Sequence, residues 1–129
     1  MMRIHHVQLG IPAGSEEEGR RFYVDGLGLT EVPKPAELAR RGGAWFRSDG
    51  GAEIHLGVEA EHRPQAKAHP ALAVDTVAEL EALGERLRSM GYDVDWSQRH
   101  NAETFQRFHV HDPAGNRVEI VVEMVKVGH

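Results

Sequence analysis

The chain has 129 residues, a net charge of -5 and a pI near 6.0, with 40% hydrophobic and 27% charged residues. That acidic balance lacks the basic footprint of a nucleic-acid surface, and no apolar run reaches the length that spans a bilayer. Cysteine is absent, so disulfides, thiolate ligands and cysteine nucleophiles are excluded, and any metal would be held by nitrogen and oxygen. The length fits one compact domain, 1–129. The start, MMRIHHVQLG, has no signal-peptide core, which makes the cytoplasm the expected location.

The first strand signal is IHHVQLGI. Alternation puts Val7, Leu9 and Ile11 on an apolar face, with His6, Gln8 and Gly10 on the other. SEEEGRRFYVDGLGL predicts a helix, with Ser15 as N-cap, Glu18 completing a capping box, Phe22 and Tyr23 facing inward, and Gly26 or Gly28 ending it. A short strand follows at 29–32, then an irregular PKPAELARRG stretch, then a strand at 43–48 containing Trp45. The glycines at 50–51 turn the chain into AEIHLGV, where Ile54, Leu56 and Val58 lie opposite His55. Residues 59–68 are polar, lack a hydrophobic period and read as a linker.

The order then repeats. HPALAV sets Leu72 and Val74 opposite His69. Thr76 caps a second helix with Glu79 as its capping-box partner, and Val77, Leu80, Leu83, Leu87 and Met90 fall on one helical face. Gly91 ends that helix and YDVDW opens a strand. FQRFHVH is a further strand, DPAG a tight turn, and NRVEIVV a closing strand with Val118, Ile120 and Val122 opposite Glu119. Each half, 1–60 and 67–126, therefore reads strand–helix–strand–strand–strand, an α+β pattern. Neither is large enough to bury its own apolar face comfortably.

The repeat selects a site. His6 and His69 lie 63 positions apart, His55 and Glu119 lie 64 apart, and each of the four projects from the face its apolar neighbours leave free. Three imidazoles and a carboxylate suit a divalent zinc, nickel, cobalt or iron ion better than magnesium or calcium. Arg107 and His109 share the same side of their strand, opposite Phe108 and Val110, and with Gln8 and Trp45 they are the expected substrate contacts. Trp45 reads equally well as core. His5 points away from His6, His111 sits by the turn, and His62, His100 and His129 occupy loop or tail positions where exposure is expected. Arg40 and Arg41 read as a solvated loop pair.

Four stretches, IHHVQLGIP, FYVDGLGL, AHPALAVDT and HVHDPAGNRVEIV, resemble the vicinal oxygen chelate superfamily of glyoxalase I, fosfomycin-resistance enzymes, extradiol dioxygenases and bleomycin-resistance proteins. The resemblance covers essentially the whole chain. It implies two βαβββ modules forming curved mixed sheets around a metal cleft, with metal ligands at His6, His55, His69 and Glu119. It also implies a homodimer, with a cleft closed within one chain or shared between two. Bacterial glyoxalase I typically has glutamate where this chain has His55, while dioxygenases and fosfomycin enzymes use a set matching His6, His69 and Glu119.

Four ligands on one octahedral ion leave two positions for a small substrate with vicinal oxygens. That favours glyoxalase-like lyase or isomerase chemistry through an enediolate, with Glu119 moving the proton. If His55 acts instead as an acid or base, an extradiol-type dioxygenase with a His-His-Glu triad is the alternative. A third reading is a drug- or metabolite-binding resistance protein without catalysis, with which the acidic charge is compatible.

Overall fold

The computed structural model describes residues 1–124. The last positions assigned to the second module, 125–126, and His129 lie outside the described residues.

The chain forms two separate four-stranded mixed sheets of the same topology. In the first, β1 (His6–Ile11), β2 (Thr30–Val32), β3 (Ala44–Arg47) and β4 (Glu53–Val58) are ordered β1-β4-β3-β2. In the second, β5 (Ala71–Val74), β6 (Val94–Asp95), β7 (Phe105–His111) and β8 (Arg117–Glu123) are ordered β5-β8-β7-β6. In each half the first and last strands pair in parallel and the other pairs are antiparallel. The sequence repeat is thus a repeat of topology. His69 precedes β5 by two residues rather than lying within it, because Pro70 has no N–H to give to a ladder. The Pro70 carbonyl still accepts from Glu119 N at 3.0 Å, which fixes His69 beside β8.

Helix α1 (Glu16–Arg20) runs on into a π-helical turn, Arg21–Gly26, where the Phe22 carbonyl accepts from Leu27 N at 2.9 Å. The wider winding lets the consecutive rings of Phe22 and Tyr23 both be fully buried. The predicted capping box at Ser15 does not form. Its hydroxyl donates to the Pro12 carbonyl at 2.7 Å and makes no cap bond. The stretch read as irregular contains a one-turn helix, α2 (Ala36–Ala39). At α3 (Val77–Ser89) the cap is as expected, with Thr76 Oγ1 accepting from Glu79 N at 3.0 Å, while the Glu79 carboxylate takes the N–H of Asp75 at 3.1 Å. Gly91 leaves the helix at φ +99°, a conformation that favours glycine. Among the described residues no helix is long and apolar enough to cross a membrane.

One core joins the halves: Phe22 and Tyr23 from the first helix, Leu80 and Leu87 from α3, Phe46, Ile54 and Leu56 from one sheet, Phe108, Val118 and Ile120 from the other. Polar contacts pin the same seam. Asp112 Oδ1 accepts from Ala114 N and Asn116 N at 2.9 and 2.8 Å, and Oδ2 accepts from the buried Tyr23 hydroxyl at 2.8 Å. Asn116 Nδ2 donates to the Gly10 carbonyl at 2.8 Å. The DPAGN turn therefore ties the second half to both the helix and the first strand of the other. Because the helices cover the apolar faces, the histidine-bearing face of each sheet is left for chemistry.

Candidate metal centre

On the second sheet, β7 and β8 pair so that His109 lies directly opposite Glu119. His69, His109 and Glu119 each offer a ligand atom within 4.8 Å of the others, and this is the one such group of three or more among the described residues. His109 is 3% exposed, and neither of its ring nitrogens has a hydrogen-bond partner among the described residues. Its Nε2 lies 3.4 Å from Glu119 Oε1 without the alignment of a bond. Buried polar atoms are ordinarily satisfied, so this ring is an orphan at the centre of a donor cluster.

His69 is also placed to bind a cation. Its Nδ1 lies 2.7 Å from the Lys67 carbonyl and its Nε2 lies 2.8 Å from Glu119 Oε1, so the ring stands between two acceptors. A neutral imidazole has one proton. With that proton on Nδ1, donated to the Lys67 carbonyl, Nε2 can offer its lone pair to a cation shared with Glu119 in place of the hydrogen bond. A backbone carbonyl on the far nitrogen is also how metal-binding histidines are commonly oriented.

Burial pushes the Glu119 carboxyl up, but the hydrogen bond from His69 and the charge of Arg107 outweigh it, so the group titrates below its ordinary value. For His109, burial and the nearby charge of Arg117 outweigh the attraction of Glu119 and push its pKa down, which keeps the ring neutral and its lone pair available. Arg107 Nη1 reaches the Glu119 carboxylate only at 3.4 and 3.5 Å.

The first sheet presents a different arrangement. His55 is buried, its ring stacked between Trp45, with centroids 4.0 Å apart and planes at 7°, and His6, at 4.1 Å and 13°. Its Nε2 donates to Glu53 Oε1 at 2.8 Å, while Glu53 Oε2 accepts from Arg47 Nε at 2.8 Å. These two partners, His55 first, hold the Glu53 carboxyl down at about 2. Burial pushes His55 itself down despite Glu53. Nearly parallel His6 and His55 rings do not aim their in-plane lone pairs at one point. Gln8 pairs in register with His55, and its amide lies over Gly57, where a Cβ would meet it.

The four residues singled out by the repeat are therefore brought together as two pairs. Among the described residues, no third ligand from the second half joins His6 and His55 within 4.8 Å. Trp45 belongs to the histidine-bearing face, not the core, which on β3 takes Ala44 and Phe46. His109 stands among the donors, closer to the chemistry than a substrate contact. Glu53 escaped the sequence reading, although its place two residues before His55 puts it on the same face. His62 departs from expectation too: its side chain is 7% exposed, with Nε2 2.9 Å from the Ala114 carbonyl. His5, His100 and His111 are exposed, as are Arg40 and Arg41.

The donor set fits a metal. Two imidazoles and one carboxylate, one imidazole orphaned and the other wedged between acceptors, suit a divalent zinc, nickel, cobalt or iron ion.

The sequence model of the Glyoxalase/Bleomycin resistance protein/Dioxygenase superfamily matches residues 3–120. Among solved structures, a protein from Bacillus anthracis assigned to the glyoxalase family is 40% identical, with a TM-score of 0.85 over 95% of this chain and 96% of that one. The lactoylglutathione lyase of Agrobacterium tumefaciens is 21% identical, with a TM-score of 0.70 over 95% and 94% of the two chains. An antibiotic-binding protein from a Streptomyces species is likewise 21% identical, with a TM-score of 0.69 over 95% and 98%. No curated protein matches the sequence.

Proposed function

The chain belongs to the Glyoxalase/Bleomycin resistance protein/Dioxygenase superfamily, and from that premise we propose that it is a divalent-metal-dependent enzyme acting on a small substrate with two vicinal oxygens. The observation that carries this reading is the buried His109, with no partner for either ring nitrogen among the described residues, beside Glu119 and His69. His69, His109 and Glu119 would hold the ion. When bound, it supplies a Lewis acid that polarises a substrate carbonyl. The chain's own residues do the rest. Glu119, the one carboxylate of the group, takes the proton from the carbon beside the carbonyl and returns it to the neighbouring position, a lyase or isomerase outcome. His69 stays aimed through its bond to the Lys67 carbonyl.

A second reading is favoured by the ligand count. Two histidines and one carboxylate are also the facial set of non-haem iron oxygenases, and three protein ligands leave room for a bidentate substrate and dioxygen. His55, engaged by Glu53, then stays off the ion. The four-ligand centre anticipated from the repeat would instead need His6 and His55 of a second copy to face His69 and Glu119.

Metal content by plasma mass spectrometry, on wild type, His55→Ala and His109→Ala, tests the assignment. About one ion per chain, kept in His55→Ala and lost in His109→Ala, is expected. Loss in His55→Ala with retention in His109→Ala would replace the triad by the shared four-ligand centre. No ion in the reconstituted wild type would remove the enzyme reading and leave sequestration of a small molecule as the account.

A further inference from the structure

Resting on that reading, we propose that the substrate carries a carboxylate and that Arg107 is the residue that binds it. Arg107 lies on β7 on the same face as His109, half-buried, with its guanidinium 5.3 Å from the centroid of the Phe105 ring. The loop before β7 holds it with neutral acceptors. Nη2 donates to Gln98 Oε1 at 3.2 Å and to Asn101 Oδ1 at 3.1 Å, and Nε reaches the Gln98 carbonyl at 3.4 Å. These contacts fix the direction of the guanidinium without neutralising it.

Nη1 is left. Its nearest anion is Glu119 at 3.4 Å, well beyond the ~2.7–2.9 Å of a good charge-assisted bond, and Glu119 Oε1 is already engaged by His69 at 2.8 Å. A guanidinium otherwise held by neutral groups, whose Nη1 meets the Glu119 carboxylate only through long contacts, is a docking point for an anion beside the donor cluster. The surrounding charge agrees. Arg117 shares the face of Glu119 two residues earlier on β8, and its side chain makes no hydrogen bond or ion pair among the described residues. Glu119 and, across the β6–β7 pair, Asp95 are the opposing carboxylates. A divalent ion would make this face strongly positive on a chain of net charge -5, which favours an anionic substrate electrostatically. One weakly engaged nitrogen suits one carboxylate oxygen better than the several donors a phosphate takes. A 2-hydroxy or 2-oxo acid supplies both features, vicinal oxygens for the ion and a carboxylate for Arg107.

The test uses the cobalt-loaded protein and two probes of equal shape, lactate and lactamide, with dissociation constants from calorimetry. Metal content is read first. The amide also donates differently to the ion, so the deciding quantity is the lactate preference of wild type divided by that of Arg107→Gln, a variant that keeps a polar group for Gln98 and Asn101. Loss of about tenfold in that preference is expected, the equivalent of one charge-assisted hydrogen bond. Arg107→Lys, which retains charge without the fork, should keep part of it. An unchanged preference in both variants, with cobalt still bound, overturns the role of Arg107 and leaves the metal reading standing. Cobalt absent from wild type overturns the metal reading and this proposal with it.

Discussion

His109 offers the most discriminating perturbation, because its buried ring serves the site at the expense of the fold. Replacing it by leucine removes a donor and an acceptor that have no partner in a ring only 3% exposed. An unsatisfied buried polar group costs about 1–3 kcal/mol, and leucine brings no polar atom to that position. What is lost is a poorly aligned approach to Glu119 at 3.4 Å, whose carboxylate keeps His69 and Arg107. The metal-free His109→Leu protein should therefore be more stable than wild type by about 1–3 kcal/mol, raising Tm by roughly 4–11 °C for a chain of this length. The same protein should lose metal affinity by more than about 100-fold, since even groups that merely orient a ligand cost 10–100-fold when removed. Urea and thermal unfolding in the presence of a chelator, with metal titration of the folded protein alongside, measure both effects. A destabilised metal-free variant would refute the orphaned-ring argument, and unchanged affinity would refute the ligand role.

Two further outcomes follow from the buried carboxylates. The Glu53 carboxyl, held at about 2 against an ordinary 4.5, contributes stability that is present above about pH 4.5 and is lost as pH falls toward 2. Acid unfolding of Glu53→Gln should therefore depart from wild type above that window and converge with it below, and parallel curves throughout would contradict the His55 and Arg47 contacts. Asp112→Ala leaves the fully buried Tyr23 hydroxyl and two backbone N–H groups without their acceptor. It should cost about 3 kcal/mol or more, read as a fall in the urea midpoint, while metal content stays at the wild-type level.

What the sequence disclosed and what it withheld divide along physical lines. Strand alternation is local and strict, so the faces of β1, β4, β7 and β8 were legible, and with them the positions of His6, His55, Arg107, His109 and Glu119. The repeat of 63 and 64 residues carried the topology, since equal spacing in two halves reflects equal elements. Convergence of four ligands was not legible, because it depends on how two sheets face one another, which no local pattern encodes. The π-helical turn at Arg21–Gly26 was hidden for a related reason: the demand to bury both Phe22 and Tyr23 comes from the opposite half of the core. At Ser15 the backbone, at φ -104° and ψ 16°, is outside the extended conformation a cap needs, and the hydroxyl donates to the Pro12 carbonyl instead.

The repeat also explains why the orphaned ring lies in the second half. Backbone register places Trp45 opposite His55 in one sheet and His109 opposite Glu119 in the other, so these positions correspond. Two residues before His55 stands Glu53, whose carboxylate accepts from the imidazole; two residues before Glu119 stands Arg117, which has only protons to give. The first half therefore satisfies its histidine internally, between stacked rings and a buried carboxylate. The second exchanges that acceptor for a cation and sets an imidazole where the first has an indole. Its ring nitrogens then have no hydrogen-bond partner among the described residues. Equal backbones thus carry unequal chemistry. On that argument Arg117→Glu, by restoring an internal acceptor for the His109 ring, should bind divalent metal more weakly than wild type in a titration of the folded protein.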